Sequence, residues 1–226
     1  MIILQKFSLL LIFCCWCEFC RADNFFYDEW HANSTGIGLQ IAHETFSFPK
    51  GFPYADVVIT SIDAYLFDYS YGWFHGGVLA GRSFVSLTGR GELGDDALAG
   101  YFGGITFRTG RWVTDNTKIG LDIRYHYQKV FDEEALDTPE LAWHGWNVRL
   151  GALSKLLDDF GVYYGVNSHC ISGHHKAGAM TSLISTCYYQ SFFGGLDVWV
   201  DRGGNLGVEG QLGEVRKIAV YFQRRY

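Results

Sequence analysis

The chain has 226 residues, enough for one β-barrel or sandwich, and carries 18 basic against 24 acidic residues for a formal charge of −6. That balance, without a basic stripe, excludes a nucleic-acid footprint. Aromatics make up 17% of the chain, with 28 Gly and only 3 Pro, a composition of strands and tight turns.

Residues 1–22 read as a secretory signal. Lys6 supplies the positive start, Ser8 to Cys17 the apolar core, and Cys20-Arg21-Ala22 the small residues before a cut after Ala22. The apolar run is too short to span a bilayer, and no later stretch reaches 18 apolar residues. A lipid anchor on Cys14, Cys15, Cys17 or Cys20 is the alternative, but the small residues that precede a lipid-acceptor cysteine are missing. Asp23 to Thr35 shows no period and reads as an irregular lead-in to a single barrel domain over 23–226.

Alternation then begins. Ile37, Leu39 and Ile41 stand against Gly38, Gln40 and Ala42 in a first strand to about Phe48, closed by the turn Pro49 to Pro53. A second strand, Asp56 to Tyr71, sets Val58, Ile62, Ala64 and Leu66 against Ser61, Asp63 and Tyr65. Asp68 to Gly72 reverses the chain into a glycine-rich third strand, Trp73 to Ser86, whose faces are ambiguous. A polar loop, Leu87 to Asp96, leads to a fourth strand, Ala97 to Arg108, with Ala99, Tyr101, Ile105 and Phe107 on one face.

The fifth strand, after a turn at Thr109 to Asn116, gives the plainest pattern. Ile119, Leu121, Ile123, Tyr125 and Tyr127 fall on odd positions, while Lys118, Gly120, Asp122, Arg124 and His126 fall on even ones. Side chains alternate faces along a strand, so this is a ribbon with one apolar and one charged face. Asp132 to Glu140 is an acidic loop. The sixth strand, Trp143 to Lys155, puts Trp146, Val148, Leu150 and Ala152 opposite Asn147, Arg149 and Gly151. The seventh, Phe160 to His169, alternates Val162, Tyr164 and Val166 with Tyr163, Gly165 and Asn167.

The longest irregular segment is expected from Cys170 to Gln190. An eighth strand, Phe192 to Asp201, alternates Leu196, Val198 and Val200 with Asp197 and Trp199, and Asp201 to Asn205 is a hairpin signal. The ninth sets Leu206, Val208 and Leu212 against Gly207, Glu209 and Gln211. After a turn at Gly213 to Arg216, the last strand carries Ile218, Val220 and Phe222 toward Tyr226.

Ten strands is an even number, as single-chain bacterial membrane barrels have; eight is the alternative. With both termini in the periplasm, the shorter reversals fall inside and most of the longer ones outside. Two aromatic girdles are expected. One comprises Tyr69, Tyr71, Trp73, Phe74, Phe222 and Tyr226. The other comprises Phe46, Phe48, Tyr125, Tyr127, Trp143, Trp146, Tyr188 and Phe192. The fold class is therefore all-β, a closed antiparallel up-and-down transmembrane barrel. A soluble exported binder with the apolar face turned inward shows the same alternation and remains open.

Four of the six cysteines lie in the signal, leaving Cys170 and Cys187 as a natural disulfide in an exported chain. Closing that loop contributes about 3 kcal/mol in the chain-entropy model. The polar faces place Asp63, Lys118, Asp122, Arg124, His126, Asn147, Arg149, Asn167, Asp197, Glu209 and Gln211 in the interior, where charges must pair. Narrow barrels fill with side chains, which favours a salt-bridged core over a conduit.

The final hairpin, Asn205 to Tyr226, resembles the closing hairpin of small OmpA-like or opacity-protein-like outer-membrane barrels. The resemblance implies a Gram-negative outer-membrane location and contact with lipid and lipopolysaccharide. It also implies recognition of the last strand by the barrel-assembly machinery through Phe222 and Tyr226. Tyr226 replaces the more usual Phe, and Arg224 and Arg225 beside it depart from the pattern.

Some small barrels are enzymes, and Asn167-Ser-His-Cys-Ile-Ser-Gly-His-His-Lys176 holds Ser and His residues together. Its spacing matches neither lipid-A acyl hydrolases nor omptin-like proteases. The adjacent His174 and His175 would face opposite ways on a strand and make a poor chelate. The expectation is no catalytic residue, cofactor or metal. The reading is a structural or surface-interaction barrel that displays loops to an extracellular ligand or partner. A narrow pore, a hydrolase and a soluble binder stand as alternatives.

Overall fold

Strands this amphipathic bury both their backbone groups and one face only by closing on themselves. The computed structural model describes residues 35–50, 52–71, 74–89, 96–131, 140–177, 180–200 and 204–225. The expected signal, the lead-in before Thr35 and Tyr226 lie outside the described residues. Ten strands follow in order: β1 (Thr35–Ser47), β2 (Tyr54–Tyr71), β3 (Phe74–Gly89), β4 (Asp96–Thr114), β5 (Thr117–Phe131), β6 (Glu140–Leu157), β7 (Phe160–Ala177), β8 (Met180–Trp199), β9 (Gly204–Gly213) and β10 (Val215–Arg225). Each pairs antiparallel with its chain neighbours, and β1 pairs with β10 to close the barrel.

The register fixes the stagger. Stepping through paired residues from Ile119 by way of Ala152, Tyr164, Gly194, Gly210, Ile218, His43, Thr60, Phe84 and Ala99 returns to β5 at Phe131, so the barrel closes with a shift of 131 − 119 = 12 residues. Such a stagger tilts the strands across the barrel axis.

β1 begins and β10 ends at one end of the barrel, called here the near end. Near-end reversals are tight: two residues separate β4 from β5 and β6 from β7. Far-end connections are no longer than eight residues, at 132–139. The expected irregular segment from Cys170 to Gln190 is instead strand. β7 continues to Ala177 and β8 begins at Met180, so only residues 178–179 separate them. Its Ser, His and Gly residues obscure the alternation that the ladder nonetheless holds, with Ile171 and Ile184 buried inside.

The one described glycine at positive φ, Gly213 (φ 132), makes the last hairpin, and a Cβ there would overlap the Gln190 carbonyl. Elsewhere interior glycines serve as seats. The rings of Tyr221 and Tyr163 lie where Cβ atoms of Gly207 and Gly195 would stand, and His126 covers Gly145 likewise. Bulky luminal side chains lying flat over a neighbouring strand's glycine let a narrow barrel fill.

Candidate functional site

The inner and outer surfaces exchange character along the barrel axis. In the near half the outside is apolar: Ile37, Ile119, Leu150, Val166, Leu196, Val208 and Val220 are all exposed. The inside there is polar, with Asp122, Arg149, Asn167, Asp197 and Glu209 buried. Toward the far end both reverse. On β5 the interior passes from Gln128 to Val130 while the exterior passes from Tyr127 to Lys129. On β6 the interior passes from Asn147 to Trp143 while the exterior passes from Trp146 to His144. On β1 the interior passes from Glu44 to Phe46 while the exterior passes from Ile41 to His43.

Strands of 18 to 20 residues such as β6, β7 and β8 exceed the roughly 9–11 needed to cross a bilayer. The surplus therefore stands beyond the apolar belt. Its interior is apolar and its exterior largely polar, with Leu183 exposed among the polar residues.

The projecting half has a hydrophobic core. Phe46, Phe48, Phe52, Tyr54, Val57, Val85, Leu87, Val130, Leu141, Trp143, Ile171, Ile184, Tyr188 and Val215 form one buried cluster across the lumen. The β1–β2 turn folds inward to supply it: Phe48 and Phe52 meet at 4.5 Å, and Tyr54 lies 5.1 Å from the His175 ring on β7. Phe46, Phe48, Trp143 and Tyr188 are thus inside the barrel, not in an outer girdle. Phe46 and Trp143 share parity with the polar luminal residues of their own strands. Tyr188 reaches the lumen because a register shift between Asn167 and His169 reverses the parity of upper β8. Tyr125, Trp146, Tyr127 and Phe192 do lie on the outer face, with Tyr125 and Trp146 4.7 Å apart. Phe222 faces outward near the near end. The side chains of Tyr69, Tyr71, Trp73 and Phe74 lie outside the described set.

Below the plug, the charged side chains form a layer. Arg149 Nη2 donates to Glu209 Oε2 at 2.5 Å, lies 4.0 Å from Asp122, and stacks 4.0 Å over the Phe193 ring. Arg124 approaches Asp122 at 3.7 Å, and Thr106 donates to that carboxylate at 3.2 Å. Lys217 lies 3.8 Å from Glu209. Asp197 accepts from Tyr221 Oη at 2.5 Å and from Asn205 at 3.3 Å, while Asn167 donates to Gln211 at 3.0 Å. Lys118 is almost fully buried in the same lumen, and Gln128 bonds Ser83.

Between this layer and the plug lies a chamber of about 80 Å³, lined on its polar side by Glu44, Asp63, Arg124, His126, His169 and Lys217 and on its apolar side by Ile59, Leu79, Phe102 and Trp143. It has room for a few waters. At the near end Leu153, Tyr163, Phe193, Trp199 and Tyr221 pack into a second apolar cluster.

Glu44, His169, Lys217, Tyr163 and Tyr221 complete the luminal network yet escape a sequence reading. Glu44, Tyr163 and Lys217 have the right parity, and no chemistry marks them beforehand. His169 faces Glu44 at 3.5 Å, whereas Ser168 lies on the outer face. His174 points outward, 3.9 Å from Glu140, and His175 inward, 3.4 Å from Tyr54 Oη. The barrel wall thus divides the Ser- and His-rich segment between two environments. Cys170 and Cys187 are cross-strand partners on the outer face, joined as a disulfide with Cα atoms 4.0 Å apart. They staple a hairpin and do not close an irregular loop.

No protein-family model matches the chain, and no curated sequence does. Solved structures do. The translocator domain of autotransporter NalP from Neisseria meningitidis superposes with a TM-score of 0.52 at 11% identity, over 89% of this chain and 90% of that one. The chain has the fold of an outer-membrane β-barrel. The β-domain of the Bordetella autotransporter BrkA matches with a TM-score of 0.51 at 12% identity, over 86% of this chain and 99% of that one. Ail, the attachment invasion locus protein of Yersinia pestis, matches with a TM-score of 0.45 at 8% identity, over 87% of this chain and 100% of that one. At these identities the likeness is one of fold, and the belt, charge layer and plug are this chain's own.

Proposed function

We propose that the protein is a sealed barrel of the bacterial outer membrane, exported by its N-terminal signal. Its role is structural or surface-interactive, with the polar far end presented outside the cell. The observation that carries this reading is the far-end plug. A barrel that conducted solutes would leave its lumen polar throughout, whereas here the apolar cluster around Phe46, Val130, Leu141, Trp143 and Tyr188 fills it. Lipid and lipopolysaccharide would meet the outer belt, and the assembly machinery would read the last strand through Phe222 and Tyr226.

The purified protein in planar bilayers is expected to show no steady conductance. On intact cells a membrane-impermeant amine reagent is expected to label the exposed Lys50 and Lys176. A stable single-channel current would replace this reading with the narrow pore. Labelling only after lysis would reverse the orientation.

A further inference from the structure

The barrel wall has a notch. β8 pairs with β9 only from Ser191 to Trp199, because the β9–β10 hairpin turns back at Gly213 and Val215. On its other side β8 stays paired with β7 up to Met180. Above Gln190, then, β8 is a strand of the projecting half with one edge bonded and the other open.

The open edge has a definite donor pattern. Cys170 and Cys187 stand with Cα atoms 4.0 Å apart, the close spacing of a non-hydrogen-bonded antiparallel pair. Cys187 therefore directs its N–H and C=O away from β7, and with the period of two so do Ser185, Leu183 and Thr181. Among the described residues no backbone or side-chain partner meets those groups. Lower down, the chain caps its own edge: Glu214 Oε2 accepts from the N–H groups of Tyr189 at 2.8 Å and Gln190 at 3.1 Å. Among the described residues nothing caps the stretch above it.

We propose that this edge of β8, residues 181–187, binds an extended segment of a partner polypeptide by strand addition, antiparallel to β8 and with acidic residues in its C-terminal half. This deepens the surface-interaction reading above and rests on the far end being exposed outside the cell. An alternating row of backbone donors and acceptors is complementary to another extended backbone. The direction follows from charge. β8 descends from the far tip to the notch, so an antiparallel segment ends at the level of exposed Lys176, the register partner of Thr181. At the foot the Glu214 carboxylate is engaged by the Tyr189 and Gln190 N–H groups. The outward side chains of the edge itself, Thr181, Leu183, Ser185 and Cys187, are uncharged, so the backbone carries the contact and Lys176 its polarity. A second copy upright in the same bilayer presents β8 in the same direction, which closes antiparallel pairing to it.

The test uses the full refolded barrel in detergent micelles. The probe is a synthetic peptide alternating Thr and Val with Glu at two positions of its C-terminal half. Amide exchange and fluorescence anisotropy are the readouts. Addition of the peptide is expected to protect the N–H groups of Leu183, Ser185 and Cys187, leaving Ile184 and Thr186 as protected as before. The sequence-reversed peptide is expected to bind more weakly.

Leu183→Pro removes one outward N–H without breaking the β7 ladder, as edge strands tolerate, and is expected to raise Kd about tenfold or more. Leu183→Ala is expected to leave Kd unchanged. Ser185→Pro repeats the test should Leu183→Pro fail to fold. No protection by the peptide, equal protection of both amide sets, or binding unaffected by either proline would overturn the proposal. The conductance and labelling results stand independently of it.

Discussion

Removing one member of the luminal ion pair should cost far more than removing both. Glu209 is 5% exposed and accepts from Arg149 at 2.5 Å and from Tyr163 Oη at 3.2 Å. Glu209→Leu leaves the Arg149 guanidinium buried against a leucine. Breaking such a pair costs roughly 3–5 kcal/mol. Arg149 keeps Asp122 at 4.0 Å and the Phe193 ring at 4.0 Å, which places the expected loss at the lower end, about 3 kcal/mol. Arg149→Met should cost a similar amount, because Glu209 then keeps the more distant Lys217 at 3.8 Å and the Tyr163 hydroxyl in place of its direct bond to Arg149.

The double variant exchanges a desolvated pair for apolar packing, and on that account is expected within about 1 kcal/mol of the parent. Equilibrium unfolding of the refolded barrel in urea, followed by tryptophan fluorescence, measures all four species and gives the coupling energy directly. Additive single costs, or a single-variant loss below about 1 kcal/mol, would refute the claim that this charge layer is dry and mutually neutralised.

Five further outcomes follow from the same geometry. Leu150→Arg, on the belt, is expected to cost about 2–4 kcal/mol in bilayers. Leu183→Arg, 81% exposed on the projecting hairpin, should be close to neutral, and equal costs would deny the projection. Gly207→Ala is expected to destabilise by about 1–3 kcal/mol, because its Cβ would overlap the Tyr221 ring. Gly103→Ala, whose nearest contact is the Leu79 carbonyl at 3.9 Å, should leave the urea midpoint nearly unchanged. Cys170→Ser with Cys187→Ser is expected to lose less than the roughly 3 kcal/mol of the chain-entropy model, because the β7–β8 ladder already holds that hairpin closed. A differential melting scan checks this, and a larger loss would show that the staple carries the hairpin.

Much of the barrel was legible in the alternation alone. The ten strands, the outward faces of β1, β4, β5, β6, β9 and β10, and the inward placement of Asp122, Arg149, Asn167 and Glu209 all follow from a side-chain period of two, which each strand carries locally. Parity was also available for Phe46 and Trp143, whose positions match those of Gln40 and Arg149. Their aromatic chemistry argued for a girdle instead.

Three things had no local signal. The register shift beside His169 reverses the faces of upper β8, and one inserted residue leaves composition unchanged. The stretches Cys170 to Ala177 and Met180 to Gln190 are strand because the β7–β8 ladder extends to them, although their own residues are weak strand formers. The height of the belt is the third: alternation persists on both sides of it, and what changes is which parity is apolar, over stretches too short to stand out in one strand. Closing ten staggered strands brings Phe46, Val130, Trp143 and Tyr188 together across the lumen. Only that convergence of residues distant in sequence makes a plug, since a hydrophobic core exists through contacts that no single strand can make.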